Sequence, residues 1–364
     1  MKRLICVIVS LCTLMVLSGC SNNAQQSDSC IDSVTSLTCD GVPIISDLLS
    51  LRDYLNRQKD ADILSFSFRY EGRETLSAQM LARMTNAYYI SCNNIGDRYD
   101  IVITEFPGDR IVDAWRSGNT SMLDDNEIKS MNMAVNMVNH ARERAEDDYD
   151  FEVIIHDMLT NHITYFDDNL DVKNANDIRR HLTVLGALLD GEANCQGYSD
   201  AFYTLGSIAG FKVGRMSVET PDDLHMTNII CFNGIWYILD VTYNDQDSEG
   251  VTNYRLFNAG MDVLREYSWQ TYNQFHPIAS VSDSFFYYNH YGLVYADIQS
   301  MSQEMAEEWV TNGTKTLRGM VKYEDGAQFE DVIKNAIIAT GKVYSYNYSY
   351  YHNDRDAYFT VVFN

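Results

Sequence analysis

An Asn-Gly pair, Asn233-Gly234, separates two largely apolar runs, His225-Met226-Thr227-Asn228-Ile229-Ile230-Cys231-Phe232 and Ile235-Trp236-Tyr237-Ile238-Leu239-Asp240-Val241-Thr242. Asn-Gly suits a two-residue hairpin turn, because both central residues need positive φ. Nothing else in the chain constrains the fold so tightly, since the turn sets the pairing register. Phe232 pairs with Ile235, Thr227 with Asp240 and His225 with Thr242. Paired residues share a face, as do residues two apart on one strand. One face therefore carries His225, Thr227, Ile229, Cys231, Trp236, Ile238, Asp240 and Thr242. The other carries Met226, Asn228, Ile230, Phe232, Ile235, Tyr237, Leu239 and Val241. Both faces are largely apolar, so both should be covered. His225 and Asp240 become diagonal neighbours with Cβ atoms roughly 7 Å apart or less, within reach of a ring–carboxylate hydrogen bond. A slip of one residue would send Asp240 to the opposite face.

Upstream lies Gly191-Glu192-Ala193-Asn194-Cys195-Gln196-Gly197-Tyr198. Tyr198, Ala201, Phe202, Leu205 and Ile208 recur at helical spacing, and Gly210 follows as a stop. Asn194 is an N-cap, which puts Cys195 in the first turn. There the helix dipole favours a thiolate. Gly197 lets another backbone approach closely. This helix is expected to cover the His225 face of the hairpin. Cys on a helix, His on one strand and Asp on the next make the set needed for a nucleophile, a general base and its orienter.

In these pieces the chain resembles the transglutaminase-like superfamily of papain-like cysteine enzymes. The motifs are DGEANCQGYSDAFYTLGSIAGF and HMTNIICFNGIWYILDVTYND, and the resemblance covers roughly Phe151 to Tyr295. It implies a papain-like fold with Cys195 as nucleophile, His225 as base and Asp240 as orienter. It departs at Thr227, where the family usually has Trp two residues after the His. Thr227 is therefore expected to alter the substrate lining. The Cys195 backbone N–H should supply part of an oxyanion hole, with Tyr165 and Gln196 as candidates for its side-chain partner.

The chain starts with Lys2 and Arg3, an apolar run Leu4 to Leu17, then Leu17-Ser18-Gly19-Cys20. The run is too short to span a membrane. The last four residues are similar to the lipobox of bacterial lipoproteins, which implies cleavage before Cys20, lipidation of Cys20 and an extracytoplasmic, membrane-anchored protein. Residues 1–19 then form the signal peptide and 20–45 a tether. Acidic residues number 51 against 27 basic, a net charge of −24. That balance argues against nucleic acid and against docking on anionic lipid. Beyond Cys6, Cys12 and Cys20, five cysteines remain, Cys30, Cys39, Cys92, Cys195 and Cys231. An odd number does not suggest a disulfide scaffold, although a Cys30–Cys39 bridge is possible. No CxxC spacing occurs and the histidines are scattered, so no metal or other cofactor is expected. Asp245, Asp247 and Glu249 lack the spacing of an EF-hand and read as a solvated loop.

The flanks read as two small β-α-β-β modules. In the first, Ile63–Tyr70, Ala87–Ser91 and Tyr99–Phe106 are strands and Ser77–Asn86 a helix, preceded by a short helix over Ile44–Gln58. In the second, Thr316–Tyr323, Val343–Tyr348 and Tyr358–Phe363 are strands and Gln328–Ala339 a helix. Tyr344, Tyr346, Tyr348 and Tyr350 share a face, expected to pack on that helix. The likeness of the two modules is one of pattern, with little identity. Between them, Asp124–Asp148 and Phe151–Tyr165 are helices, with His156 and His162 expected at the surface. Ile178–Leu189 leads into the Cys195 segment. Tyr254–Asn258 and Phe285–Asp297 read as further strands.

The expected architecture is α+β: a papain-like, transglutaminase-like core, with the Cys helix on an antiparallel sheet, flanked by the two modules. The divisions are 46–120 for the first module, 121–300 for the core with its leading helix, and 301–364 for the second module. The resemblance implies acyl transfer or amide hydrolysis through a Cys thioester on protein or peptide substrates. The alternative is a non-catalytic cell-surface binding protein that keeps the fold.

Overall fold

The computed structural model describes residues 36–37, 41–61, 63–85, 87–166, 179–221, 224–245, 252–271, 278–322, 329–341, 345–352 and 356–363. The expected signal segment, Cys20, the expected tether up to residue 35, Cys30, Cys39, Asp247 and Glu249 lie outside them. The described chain is a mixed α+β protein with three apolar cores.

The first module runs β1 (Ser36–Leu37), β2 (Pro43–Ile45), α1 (Leu48–Asp60), β3 (Ser65–Tyr70), α2 (Ala78–Thr85), β4 (Tyr89–Ile95) and β5 (Arg98–Thr104). Its sheet has the order β1-β2-β3-β5-β4. Asp47 caps α1 by accepting from Ser50 N at 2.9 Å. Leu51, Leu55, Phe68, Leu81 and Ile90 are fully buried between the helices and the sheet.

The core opens with α3 (Pro107–Ser117), α4 (Asp125–Arg144) and α5 (Asp148–Thr160). A capping box starts α4: Asp124 accepts from Asn126 and Glu127 N, and Glu127 accepts from Asp124 N. Two short parallel strands follow, β6 (Thr164–Tyr165) and β7 (Glu192–Ala193), then α6 (Cys195–Ala209), β8 (Val213–Glu219), β9 (Leu224–Phe232) and β10 (Ile235–Leu239). After these come α7 (Val241–Asn244), α8 (Met261–Glu266), β11 (Gln270–Thr271) and α9 (Tyr287–His290). The central sheet has the order β10-β9-β8-β11. The hairpin register is the one the turn dictates: Ile235 pairs with Phe232, Trp236 with Cys231 and Leu239 with Asn228. Asn233 and Gly234 have φ 53° and 84°, as the turn requires.

The second module comprises β12 (Val294–Tyr295), α10 (Ile298–Asn312), β13 (Thr316–Lys322), α11 (Phe329–Ala339), β14 (Tyr346–His352) and β15 (Asp356–Phe363). Its sheet order is β12-β13-β15-β14. Both modules therefore share one topology. A short strand runs parallel to the next across a helix, and the last two strands form a hairpin whose first member takes the outer edge.

Several boundaries differ from the sequence reading. Each module contains a β-α-β-α-β-β unit, to which the first adds β1 at its edge; the strand before the first helix has two or three residues, too short to show alternation. β12 pairs with β13 in the second module's sheet, ahead of residue 301. After β5, α3 packs on α4 and α6 and places Ile111 in the central core. Residues 254–258 form a turn beside a single bridge, Ile238 to Ala259. Phe285–Asp297 holds α9 and β12 in place of one strand, and Val241–Asn244 is helical. His156 is fully buried, not at the surface, and half-buried His162 donates from Nε2 to Leu188 O at 2.9 Å.

The Cys195 helix takes the opposite face of the hairpin from the one expected. Asn228 Nδ2 donates to Ser199 O at 3.0 Å, and Ser199 Oγ donates to Met226 O at 2.8 Å. Val213, the partner of Ile230, sits over Gly206. The Met226–Asn228–Ile230 face thus meets α6. The turn specifies which residues share a face, but not the side on which a helix settles. Small Ser199 and Gly206 admit the sheet on this side.

Candidate active site

Asn194 organises the start of α6. Its φ of −88° is extended, and its Oδ1 accepts from Gln196 N at 3.0 Å and Gly197 N at 3.4 Å. The cap satisfies two of the helix's first N–H groups and makes no bond to that of Cys195. Gly197 is needed for packing: a Cβ there would lie 2.5 Å from His181 O and 2.7 Å from Ala193 Cβ. The β6–β7 pair sets Tyr165 opposite Ala193, next to this turn.

His225 lies at the opening end of β9, beside the first turn of α6. Its Nε2 is 2.5 Å from Asp240 Oδ2, and Cys195 lines the same cleft, near enough to act on the ring electrostatically. Burial by itself would push the ring's pKa down. The charges of Asp240, first, and Cys195, second, outweigh burial and hold it up at about 10. The ring is therefore an imidazolium at neutral pH. Asp240 is buried, and its other oxygen accepts from Tyr243 N at 2.9 Å, capping α7.

Trp269 and Tyr243 flank the imidazole, with ring centroids 5.2 Å and 4.9 Å from it. An indole thus stands against His225 from a different part of the chain, although Thr227 holds the position two residues on. Thr227 itself does not line the cleft: it is 1% exposed and donates to Leu239 O at 2.9 Å. Its expected role in substrate binding is corrected on that ground, since a strand residue two on from His225 is buried within the sheet. Tyr165 and Gln196 do line the cleft, as do Cys195 and His225.

The cleft has a volume of about 580 Å³. One wall comes from the core, with Ser217, Val218, Leu224 and Met226. The other comes from the first module, with Ala82 and Arg83 of α2, Tyr88, and Tyr89 and Ile90 of β4.

Behind Cys195 lies an ionic cluster. Arg215 of β8 is buried and binds Asp200 of α6, and its Nη1 is 2.9 Å from Asp109 of α3. Asp200 Oδ2 also accepts from Val184 N at 2.9 Å and Gly108 N at 3.3 Å. The guanidinium lies 3.8 Å from the Tyr203 ring centroid and 4.4 Å from that of Phe106. Burial opposes ionisation of Asp109, but the charges of Arg215 and then Lys59 hold its carboxyl below the usual range. The sequence carried a signal here: Asp200 is the one charged residue of α6, and Arg215 lies near the middle of β8. A second layer supports Asp240. Asn244 closes α7 onto Asp240 O at 3.1 Å and donates from Nδ2 to His156 Nε2 at 3.1 Å. His156 Nδ1 then donates to Asp157 at 3.0 Å.

Cys92, Cys195 and Cys231 are free thiols. Among the described residues no group of three or more His, Cys, Asp or Glu is placed to hold a metal ion.

No family model matches the chain, and no curated protein matches it. Solved structures do. One described as a TGase is 12% identical with a TM-score of 0.30, covering 55% of this chain and 59% of its own. A putative cysteine protease from Cytophaga hutchinsonii is 12% identical with a TM-score of 0.25, covering 45% of this chain and 64% of its own. Legionella pneumophila LapG, EGTA-treated, is 12% identical with a TM-score of 0.24, covering 42% of this chain and 77% of its own. The chain spans under two thirds of the first two.

Proposed function

We propose that this chain is a transglutaminase-like cysteine enzyme that performs acyl transfer or amide hydrolysis on protein or peptide substrates. The observation that carries the reading is the buried Asp240–His225 pair at the wall of an open cleft that Cys195 also lines. In the proposed reaction the Cys195 thiolate attacks the carbonyl carbon of a substrate amide. Negative charge gathers on the carbonyl oxygen, where the Cys195 N–H receives it. The C–N bond breaks as the His225 imidazolium protonates the departing amine, leaving a thioester. Water or a second amine then attacks the thioester, gives its proton to His225 and restores the thiolate. Asp240 holds the ring and supports its positive form.

Export and lipid anchoring through Cys20 belong to the same proposal, and the Leu17-Ser18-Gly19-Cys20 run supports them. The substrate is then an envelope or extracellular protein. Cys20→Ala should release the protein into the medium or leave its leader uncleaved. Unchanged partitioning into detergent would remove the anchor from the reading.

The test of the chemistry is alkylation by iodoacetamide at pH 6, where an ordinary thiol is almost wholly protonated. Cys195 should react at least about tenfold faster than a free thiol, and His225→Ala should abolish the difference. A rate equal to that of a free thiol overturns the enzyme reading in favour of a binding protein.

A further inference from the structure

The first module presents an unpaired strand edge to the catalytic cleft. β4 bonds only to β5 within its sheet. Ile103 N donates to Leu64 O on the β3 side at 2.8 Å, so odd-numbered residues of β5 direct their main chain toward β3. In an antiparallel ladder these residues form the non-hydrogen-bonded pairs with the strand on the other side. Their partners in β4 are Ile90, Cys92 and Asn94. The N–H and C=O groups of those three residues therefore point away from the sheet, and no backbone bond meets them among the described residues. Natural edges are usually blunted by Lys, Pro, a bulge or a cover. The sequence Tyr89-Ile90-Ser91-Cys92-Asn93-Asn94-Ile95 has neither charge nor proline. Its first two residues line the same cleft as Cys195.

The same cleft wall carries Arg83, half-buried, which makes no ion pair among the described residues. In a chain with 51 acidic residues and 27 basic ones, an unpaired cation beside a nucleophile calls for a carboxylate.

We infer that the acyl-donor substrate is an extended acidic peptide, added as a sixth strand along β4, with a substrate carboxylate on Arg83. This deepens the proposed cysteine chemistry and rests on it. Main-chain bonds to Ile90, Cys92 and Asn94 supply affinity largely independent of sequence, and Arg83 supplies the preference. The peptide enters in one register and delivers its reacting carbonyl to Cys195.

The probe is an Ala/Val pentapeptide chloromethyl ketone, whose methylene carbon is attacked by the thiolate sulfur, forming the S–C bond as chloride leaves. One series carries a single Glu at each position in turn, and a second a single N-methyl amide at each position in turn. Strand addition predicts an alternating response. N-methylation should slow labelling about tenfold at every second amide and little at those between. A Glu at one position should speed labelling about fivefold or more, a gain lost in Arg83→Ala and recovered in part in Arg83→Lys. N-methylation without alternation overturns the strand. A Glu preference that is absent, or that survives Arg83→Ala, overturns the carboxylate contact. In both cases fast iodoacetamide labelling leaves the cysteine reading standing, whereas slow iodoacetamide labelling overturns both.

Discussion

Asp240 binds His225 through one carboxylate oxygen and starts the next helix with the other. Oδ2 is 2.5 Å from Nε2 of the ring, and Oδ1 accepts from Tyr243 N at 2.9 Å. The two tasks separate chemically. An Asn at this position still caps a helix, whereas an Ala does not.

Asp240→Asn should therefore keep the cap's share of the stability, losing only the part that the charged His225 pair contributes, while lowering activity by roughly two to four decades. Asp240→Ala should lose the activity and about 1 kcal/mol of stability besides. Melting curves alongside peptide turnover distinguish them. Equal melting points for the two variants would show that the cap contributes nothing.

The His225 ring sets an upper pH limit. Its pKa rises from 6.5 to about 10 on folding, so the folded state holds the proton more tightly. The resulting stability is present in full below about pH 6.5 and is lost as pH rises toward 10. The difference in melting temperature between the parent and His225→Ala should shrink across that window. Turnover should fall on the same limb, because the leaving amine loses its proton donor. A ring that titrated near 6.5 in the folded protein would contradict both expectations.

Glu152 supplies a second pH dependence, with the opposite origin. It is fully buried in α5, and burial pushes its carboxyl up to about 8, against a hydrogen bond from Asn258 Nδ2 at 2.9 Å. Between 4.5 and 8 the folded state holds a proton that the unfolded chain has released. Stability therefore falls as pH rises through this range, by up to about 1.4 kcal/mol per unit. Glu152→Gln keeps the shape and the bond from Asn258, and should flatten that slope. Denaturant melts at pH 5, 6.5 and 8 measure it.

Arg215→Met should destabilise the fold by about 3–5 kcal/mol, because Asp200 and Asp109 lose the cation between them. Adding Asp200→Asn should recover part of the loss by removing one buried charge. Urea midpoints for the single and double variants decide this. A single variant as stable as the parent would mean that the cluster is neutral in effect.

The hairpin was readable from the sequence because Asn233-Gly234 fixes its register through backbone geometry alone, and the Asn194 cap and Gly210 stop bounded the nucleophile's helix in the same way. The face that meets α6 was not, since it depends on contacts of Ser199 and Gly206 with residues 7 to 29 positions away. Thr227 had looked like a substrate contact only because of its place relative to His225. Burial is a property of the assembled sheet. The helix Ile298–Asn312 did carry local signals, an Asp297 cap, a Gly313 stop, and Ile298, Met301, Met305 and Trp309 on one side. Reading Phe285–Asp297 as a strand hid where that helix starts. The first module's share in the cleft had no local signal, because it arises from packing between separate parts of the chain.

Gly108 donates to Asp200 at 3.3 Å, and a Cβ there would lie 2.2 Å from that carboxylate. This contact comes four residues after β5 ends, so the module that forms the outer cleft wall is leashed to the Cys195 helix by a very short tether. The wall has almost no lever arm. Any widening of the cleft must pivot on Glu105 and Phe106, and it cannot proceed as a free rotation of one body about another. The width of the gap facing Cys195 is therefore expected to change little, which would make it a gauge for the width of whatever enters.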